Sequence, residues 1–271
     1  MLKDFSPIRA DYAFFEKHST EAEADLRAYQ PHAQSLVASH QSIRMLDFGC
    51  GDGEFSTQFL SALRVPAERL HLSLVEPVEI YRQQVVERLR SLSNHPVQFW
   101  PALPHDLRDC FDLVLANHCL YYVPDLEGAV FTLLNSLSST GMFLCALAGQ
   151  DNLLIQFWNH CFGLIGKPVP YHTAEDFEAA LLNRCVAYSR ENVTYELAFP
   201  DSEENRSRIM RFLLGKHFHE VPRSAMLAAF DRHTVASSIS MRISHKHFIV
   251  RNEKAVLTAV GGQNLEATAI Q

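Results

Sequence analysis

The chain has 271 residues, of which 47% are hydrophobic and 20% are charged, and it carries a formal net charge of −7. This composition is typical of a soluble globular protein large enough for one elaborated α/β domain. The negative charge and the lack of a Lys/Arg block argue against nucleic acid as a partner, and no apolar run approaches the roughly 18 residues of a membrane span.

Residues 1–40 precede the first predicted strand and are expected to be helical. The segment 11–18 is rich in aromatic residues, and Thr20 with Glu23 forms a capping-box pattern that predicts a helix start. Pro31 is expected to interrupt this pattern, so we predict two helices. A helical pair in this place can act as a lid over the open end of a sheet or as a structural cap, and the pattern favours neither.

An apolar run at 43–48 predicts a buried strand, and it ends at Gly49, Gly51 and Gly53. A helical pattern of apolar residues follows from Phe55. Glycines let the backbone turn tightly and approach a ligand, and the helix N-terminus offers free N–H groups. A strand, a glycine turn and a helix in this order are typical of a nucleotide-binding loop.

Carboxylates stand at the ends of the first two predicted strands. Asp47 lies two residues before the first glycine, and Glu76 follows the strand at 70–75. An acidic residue about 20 residues after the glycine loop can accept the hydroxyls of a ribose. The G-x-G-x-G spacing differs from the G-x-G-x-x-G of dinucleotide sites, and the carboxylate before it favours a cationic ligand over a pyrophosphate.

Further strands are predicted at 97–100, 111–116 and 142–148, separated by helical patterns. Continuous apolar strands alternating with helices indicate a doubly wound α/β sheet, in which ligands bind at the carboxyl ends of the strands. Four candidate residues converge at those ends: Asp47, Glu76, Ala102 and Asn117.

Beyond residue 150 we predict strands at 192–199 and 236–250, which gives a mostly parallel sheet of seven strands. The chain then divides into an N-terminal helical lid (1–40), a Rossmann-like core (41–200), a helical insertion forming part of a substrate pocket (201–235), and the last strand with a tail of little pattern (236–271).

The acidic-x-G-x-G-x-G run from Asp47 to Gly53 resembles motif I of the class I methyltransferases that use S-adenosylmethionine (SAM). SAM carries a sulfonium and an ammonium and no phosphate, which suits the carboxylates. The resemblance implies SAM as cofactor, S-adenosylhomocysteine (SAH) as product and a small-molecule methyl acceptor. The residues expected to bind SAM are Asp47, Gly49, Cys50, Gly51, Glu76, Pro77, Tyr81, Ala102 and Asn117.

A narrower resemblance involves three short blocks: His18-Ser19-Thr20-Glu21, Val75-Glu76-Pro77, and Leu120-Tyr121-Tyr122-Val123 followed by Asp125. These blocks are similar to histamine N-methyltransferase. The resemblance implies that Glu21 reaches the amine of the substrate and that His118 lines the substrate site, where that family has an amide. The expected substrate-binding residues are Tyr12, Phe15, Glu21, His118, Tyr121, Tyr122 and Trp158.

Methyl transfer from a sulfonium is an in-line displacement that needs positioning and exclusion of water. His118 is the candidate catalytic residue, as a base or an orienting group, unless it merely satisfies a neighbouring hydrogen bond. Glu21 either anchors a cation or favours the dipole of its helix. Because neighbouring residues point apart, we expect one of Tyr121 and Tyr122 to line the pocket and the other to lie in the core.

The methyl-accepting group is expected to be an amine, a ring nitrogen or a hydroxyl of a small molecule of specialised metabolism. Two alternatives remain. One is a nicotinamide-dependent oxidoreductase, which the glycine spacing opposes. The other is a SAM-binding regulator without catalysis, which the aromatic residues expected at the pocket oppose.

No metal is predicted. The six cysteines are widely spaced without a C-x-x-C pair, which suggests neither a zinc site nor a disulfide framework. His217 with His219, and His245 with His247, have an i, i+2 spacing that could serve a metal, but no third ligand is evident in the sequence. The N-terminal residues do not resemble a signal peptide, and we expect a cytoplasmic monomer or homodimer.

Overall fold

The computed structural model describes residues 6–252 of the chain. The helices are α1 Arg9–His18, α2 Glu21–Ser39, α3 Glu54–Leu63, α4 Glu79–Leu89, α5 Leu126–Asn135, α6 Leu153–Leu164, α7 Ala174–Leu182, α8 Glu203–Leu214 and α9 Arg223–Ala228. The strands are β1 Ile43–Phe48, β2 Leu70–Val75, β3 Gln98–Trp100, β4 Phe111–Asn117, β5 Leu137–Leu147, β6 Ser189–Pro200, β7 Thr234–Val235 and β8 Ser238–Arg251.

The strands of this described part form one sheet in the order β3-β2-β1-β4-β5-β8-β6. The first five are parallel, whereas β8 runs antiparallel to both β5 and β6. The seven predicted strands are all present, and the two-residue β7 pairs with β8. The prediction of a doubly wound, mostly parallel α/β sheet is therefore confirmed.

Both faces of the sheet are covered, as the continuous apolar strands predicted. On β4, Val114 and Ala116 belong to one hydrophobic cluster, while Leu113 and Leu115 belong to the other. Successive side chains of a strand point to opposite faces, so this alternation places one core above the sheet and one below it. The carboxyl ends of the parallel strands are not covered in this way, so polar side chains can lie together there.

The N-terminal helices differ from the prediction. The structure has one helix over 9–18 and a second, α2, that continues through Pro31. An interior proline costs a helix about 3 kcal/mol, and the buried face of α2, with Tyr29, Ala33 and Leu36, offsets that loss. The helical break expected at Pro31 was therefore wrong, because tertiary packing outweighs the local preference.

The capping box expected at Thr20 is also absent. No side-chain hydrogen bond caps α2 at Thr20, and its hydroxyl instead accepts a hydrogen bond from the backbone N–H of Glu196 at 2.9 Å. The N–H of Thr20 in turn donates to the carbonyl of Glu196 at 2.9 Å. This exchange ties the junction of α1 and α2 to the edge strand β6, so the start of α2 has a fixed position on the sheet.

Helix α2 packs against α3 and β6, and α1 packs against α8. Helices α8 and α9 lie between β6 and β8 in the chain, where the helical insertion at 201–235 was expected. Of the predicted tail, residues 253–271 lie outside the described residues. Among the described helices, none combines the length and the apolar character needed to cross a membrane.

Candidate functional site

The glycine loop between β1 and α3 has the conformation that its sequence predicts. Gly49, Gly51 and Gly53 have φ angles of 73°, 57° and 81°. A Cβ atom on Gly49 would lie 2.5 Å from Cβ of Cys119, and one on Gly53 would lie 2.5 Å from a methyl carbon of Val85. A Cβ on Gly51 would meet nothing within 4 Å. Two of the glycines are thus required by packing, while Gly51 borders open space.

Glu76 joins the end of β2 to this loop. It is only 5% exposed, and its two carboxylate oxygens accept hydrogen bonds from the backbone N–H groups of Gly51 at 3.0 Å and Val78 at 2.8 Å. Burial raises the pKa of this carboxyl, and the two backbone hydrogen bonds oppose that effect. A carboxylate with free lone pairs therefore lies beside the open Gly51.

Asp47 provides a second buried carboxylate at the end of β1, 3% exposed, which accepts a hydrogen bond from the hydroxyl of Ser56. Burial and the neighbouring charge of Glu76 raise its pKa to about 7, although the Ser56 bond acts in the opposite direction. Two carboxylates on adjacent strand ends are costly to ionise together, so a cation bound between them would be favoured.

The other residues expected to bind the cofactor have varied surroundings. Cys50 and Pro77 are partly buried, Tyr81 is buried on α4, and Ala102 is exposed after β3. The side chain of Asn117 is fully engaged elsewhere: its oxygen accepts from the Tyr29 hydroxyl at 3.0 Å, and its nitrogen donates to Asp25 at 3.0 Å. The amide of Asn117 is therefore directed towards α2.

A cavity of about 80 Å³ lies at the carboxyl ends of β4 and β5, covered by α1, α6 and α8. The seven residues expected to bind substrate all line it: Tyr12, Phe15, Glu21, His118, Tyr121, Tyr122 and Trp158. Sequence inspection missed Tyr195 on β6 and Phe212 on α8, which also line it. Phe212 stacks on Phe15 with ring centroids 4.8 Å apart. The wall is thus mostly aromatic.

The two adjacent tyrosines both line this cavity. Tyr121 also belongs to the buried core, as expected of one of the pair, so the prediction was wrong only in placing the core residue away from the cavity. They lie in a single 3₁₀ turn, Leu120–Tyr122, where successive side chains are only about 120° apart. The hydroxyl of Tyr121 accepts a hydrogen bond from the N–H of Ala148 at 2.6 Å and is 3.0 Å from Nδ1 of His118. Tyr121 therefore also holds the histidine ring in place.

His118 lies between two carboxylates, with its Nε2 atom 3.2 Å from Asp25 and 3.7 Å from Glu21. Burial lowers the pKa of the imidazole, but the charges of Glu21 and Asp25 outweigh it and raise the pKa to about 9. An imidazole with this pKa is protonated at neutral pH and cannot readily accept a proton. The geometry therefore favours an orienting role for His118 over the role of general base.

The paired histidines of β8 do have a third partner, contrary to the sequence-based expectation. His245 and His247 are both buried, and their Nε2 atoms lie 2.7 Å and 2.8 Å from one carboxylate oxygen of Asp25. Asp25 comes from α2, about 220 positions earlier in the chain, so spacing could not reveal it. His217, by contrast, pairs with Glu220, and His219 is exposed.

Residues 20–184 match the family model of a methyltransferase domain. No curated protein matches the chain in a sequence comparison. Among solved structures, YcgJ from Bacillus subtilis is 16% identical with a TM-score of 0.56, covering 84% of this chain and 99% of its own. A protein from Bacillus halodurans C-125 assigned as a methyltransferase is 12% identical with a TM-score of 0.53, covering 83% and 99%. The plantazolicin methyltransferase BpumL, in complex with a desmethyl plantazolicin analogue and SAH, is 12% identical with a TM-score of 0.53, covering 90% of each chain.

We expect Gly49→Ala to lower the free energy of unfolding more than Gly51→Ala. Both place a side chain at positive φ, which costs about 1–2 kcal/mol. At Gly49 the added methyl group also overlaps Cys119, which should add about 1–3 kcal/mol. Urea unfolding followed by circular dichroism measures the difference. Gly163→Ala, in a helix with open space around it, is the control and should not destabilise. Equal losses at Gly49 and Gly51 would contradict the packing role.

Proposed function

The chain belongs to the methyltransferase-domain family, and we propose that it transfers a methyl group from SAM to a nitrogen or oxygen atom of a small molecule. The observation that carries this proposal is the pair of buried carboxylates, Asp47 and Glu76, at an open glycine loop. A positively charged cofactor without phosphate fits this arrangement. BpumL, which shares the fold, was crystallised with SAH, and this supports the choice of cofactor.

On this proposal the glycine loop and the ends of β1 and β2 hold SAM. Glu76 accepts the ribose hydroxyls through the lone pairs that its bonds to Gly51 and Val78 leave free. Asp47 supplies negative charge near the cationic methionine end of SAM. The open space beside Gly51 lets the ligand approach the backbone closely. The other residues around the ligand are Cys50, Pro77, Tyr81 and Ala102. Asn117 contributes through its backbone position at the end of β4, since its side chain faces α2.

The aromatic cavity receives the methyl acceptor. Its rings exclude water and present π faces that attract cations, which suits an amine or a heteroaromatic ring near a sulfonium. Glu21 and His118 are its charged groups. The blocks that resemble histamine N-methyltransferase contribute Glu21, Tyr121 and Tyr122 to the wall, which supports a nitrogen acceptor. Because His118 replaces an amide of that family, we propose an acceptor other than histamine.

We assign the lid of this cavity to helices α1 and α2, which belong to the predicted N-terminal segment 1–40; residues 1–5 of that segment lie outside the described residues. Helix α1 supplies Tyr12 and Phe15, and the first residue of α2 is Glu21, so both helices contribute to the wall. The insertion at 201–235 closes the other side through Phe212 and Leu213 of α8. Opening of α1 would admit the acceptor while α2 stays fixed to the sheet at Thr20.

Calorimetry with SAM, SAH and NAD, followed by incubation with SAM and panels of small amines, imidazoles and phenols, tests this function. We expect heat of binding from SAM and SAH but not from NAD, and SAH formation that rises with at least one acceptor class. Tight binding of NAD in place of SAM would indicate an oxidoreductase. SAM binding without turnover on any panel would indicate a regulator.

We expect Glu76→Gln to weaken SAM binding by about 1–3 kcal/mol, because it removes charge-assisted hydrogen bonds to the ribose. Isothermal titration calorimetry measures the affinity. Glu79→Gln is the matched control, since Glu79 is exposed on the first turn of α4, close to Glu76 in the chain, and should bind SAM as the wild type does. An unchanged affinity of the Glu76 variant would remove Glu76 from the cofactor site.

SAM affinity should fall as the pH drops below about 7. The pKa of Asp47 is raised to about 7, and the positive charge of SAM favours the ionised carboxylate. Below this pKa a proton must leave when SAM binds, so affinity decreases by up to about tenfold per pH unit. Calorimetry between pH 5.5 and about 7 keeps the ammonium of SAM protonated.

The variant Asp47→Asn is the control for this pH dependence. It cannot titrate at this position, so its SAM affinity should be lower at pH 7 and should vary less with pH than that of the wild type. Glu76 remains in the variant, which separates its contribution from that of Asp47. A wild-type affinity that stays constant over the range would contradict the role of Asp47.

A further inference from the structure

Two ring nitrogens without hydrogen-bond partners meet a carboxylate at the floor of the acceptor cavity. Within residues 6–252, Nε2 of His118, Nδ1 of His245 and Nδ1 of His247 are buried without a well-formed hydrogen bond, and the first two of these lie near Glu21. Oε1 of Glu21 lies 3.7 Å from the first and 4.0 Å from the second. Asp25 lies 3.2 Å from Nε2 of His118, so the protonated ring is ion-paired with Asp25 and Glu21 in the ligand-free chain without a well-aligned hydrogen bond, and a metal ion bound here would displace its proton. Buried polar atoms are rarely left unpaired, so this cluster points to a missing partner.

The remaining polar atoms of these side chains are held by neighbours. Nε2 of His245 lies 2.7 Å from Asp25, Nδ1 of His118 lies 3.0 Å from the hydroxyl of Tyr121, and the hydroxyl of Tyr195 hydrogen-bonds to Glu21. Histidines that ligate a metal are oriented in this way, with the second ring nitrogen bonded to a carboxylate or another polar group. Nδ1 of His245 lies 4.0 Å from Glu21. In the tautomer that places the ring proton on Nε2, beside Asp25, this Nδ1 presents a lone pair to the carboxylate, and a cation between the two atoms would bind both.

We propose that Glu21, His118 and His245 bind one divalent transition-metal ion, with Zn²⁺ as the reference ion, at the floor of the acceptor cavity. Two imidazoles and one carboxylate form a ligand set used by catalytic zinc sites and non-haem iron sites. Ligand atoms around a tetrahedral zinc ion are about 3.4 Å apart. Two of the separations are 3.7 Å and 4.0 Å, and all three ligand atoms lie within 4.8 Å of one another, so side-chain movements would have to bring them closer around the ion.

The three ligands leave one coordination position open towards the cavity, because Glu21 and His118 line its wall. The neighbouring triad of Asp25, His245 and His247 does not offer such a position. Its ligand atoms are only 2.7–3.0 Å apart, and its three side chains are fully buried. We therefore place the ion on the cavity side of His245 and assign Asp25 to orienting that ring.

This inference about the acceptor rests on the proposed methyltransferase function. If the chain transfers methyl groups, the ion selects an acceptor that has a metal-binding nitrogen or oxygen. The positive charge of the ion lowers the pKa of such a group. On binding the ion, a hydroxyl or an azole ring would release its proton to water, a lone pair that the ion does not use would form the bond to the methyl carbon, and the electron pair of the carbon–sulfur bond would stay with SAH. His118 needs no role as a base in this arrangement.

Metal content and Co²⁺ binding test the site directly, without an activity assay. Elemental analysis of the purified protein should find about one Zn²⁺ or Fe²⁺ per chain, and the native content distinguishes the two. After chelation, Co²⁺ titration should produce visible absorption bands of a low-coordinate site. Glu21→Gln and His245→Gln should each weaken Co²⁺ binding more than about 100-fold, since loss of a second-shell partner alone costs 10–100-fold.

His217→Gln with Glu220→Gln is the matched control, because it removes another histidine–carboxylate pair, 2.9 Å apart, and should leave Co²⁺ affinity unchanged. Circular dichroism verifies that each variant folds. If the His245 variant does not fold, the Co²⁺ affinity of Glu21→Gln, at the cavity wall, tests the site by itself. No metal in the purified protein together with no Co²⁺ bands would overturn the proposal and leave an acceptor ammonium as the partner of Glu21. Calorimetry with SAM distinguishes failure of the metal site from failure of the proposed function. A protein that binds SAM but no metal refutes the metal site alone, and a protein that binds metal but not SAM refutes the proposed function alone.

Discussion

The buried carboxylate of Asp25 is the constraint that holds the acceptor side of the molecule together. Its side chain is fully buried and lies 2.7 Å from His245, 2.8 Å from His247 and 3.0 Å from the donor nitrogen of Asn117. Removing a carboxylate from water costs several kcal/mol unless such partners replace the solvent. Desolvation raises the pKa of Asp25, but the charges of His118 and His245 outweigh it, so the pKa lies well below its usual range.

This constraint determines where the cavity residues lie. Glu21, Asp25 and Tyr29 are four residues apart and share one face of α2. Tyr29 stacks on His247 with ring centroids 4.2 Å apart and donates to Asn117, so this face is bonded to both β4 and β8. Glu21, one turn before Asp25, is thereby brought to the end of β4, where His118 follows Asn117. The cavity floor is therefore formed by β4 and β8, which flank β5 in the sheet, together with helix α2.

The parts of the site that the sequence predicts are those encoded locally. A strand, a glycine turn and a helix lie within about twenty consecutive positions, and glycine is needed there because its neighbours Cys119 and Val85 leave no room for a side chain. The Asp25–histidine network joins segments that are far apart in the chain, so no spacing predicts it. Pro31 misled the helix prediction for the same reason, since the packing of α2 against the sheet prevails over local preference. A charged residue on the buried face of α2, at Asp25, was the one signal that could have indicated a partner.

The two halves of the site share an electrostatic imbalance. Asp47 and Glu76 lie buried on the cofactor side, and Glu21 and Asp25 lie on the acceptor side, where their charges outweigh the effect of burial and raise the pKa of His118 to about 9. Buried carboxylates favour any ligand that brings positive charge, because the ligand replaces lost solvation. A ligand that binds the folded chain alone also stabilises it in proportion to the logarithm of its concentration. Asp47 and Glu76, whose pKa values burial raises, therefore make the ligand-free fold less stable and also supply free energy for selecting a cationic cofactor, so stability and function depend on the same two residues.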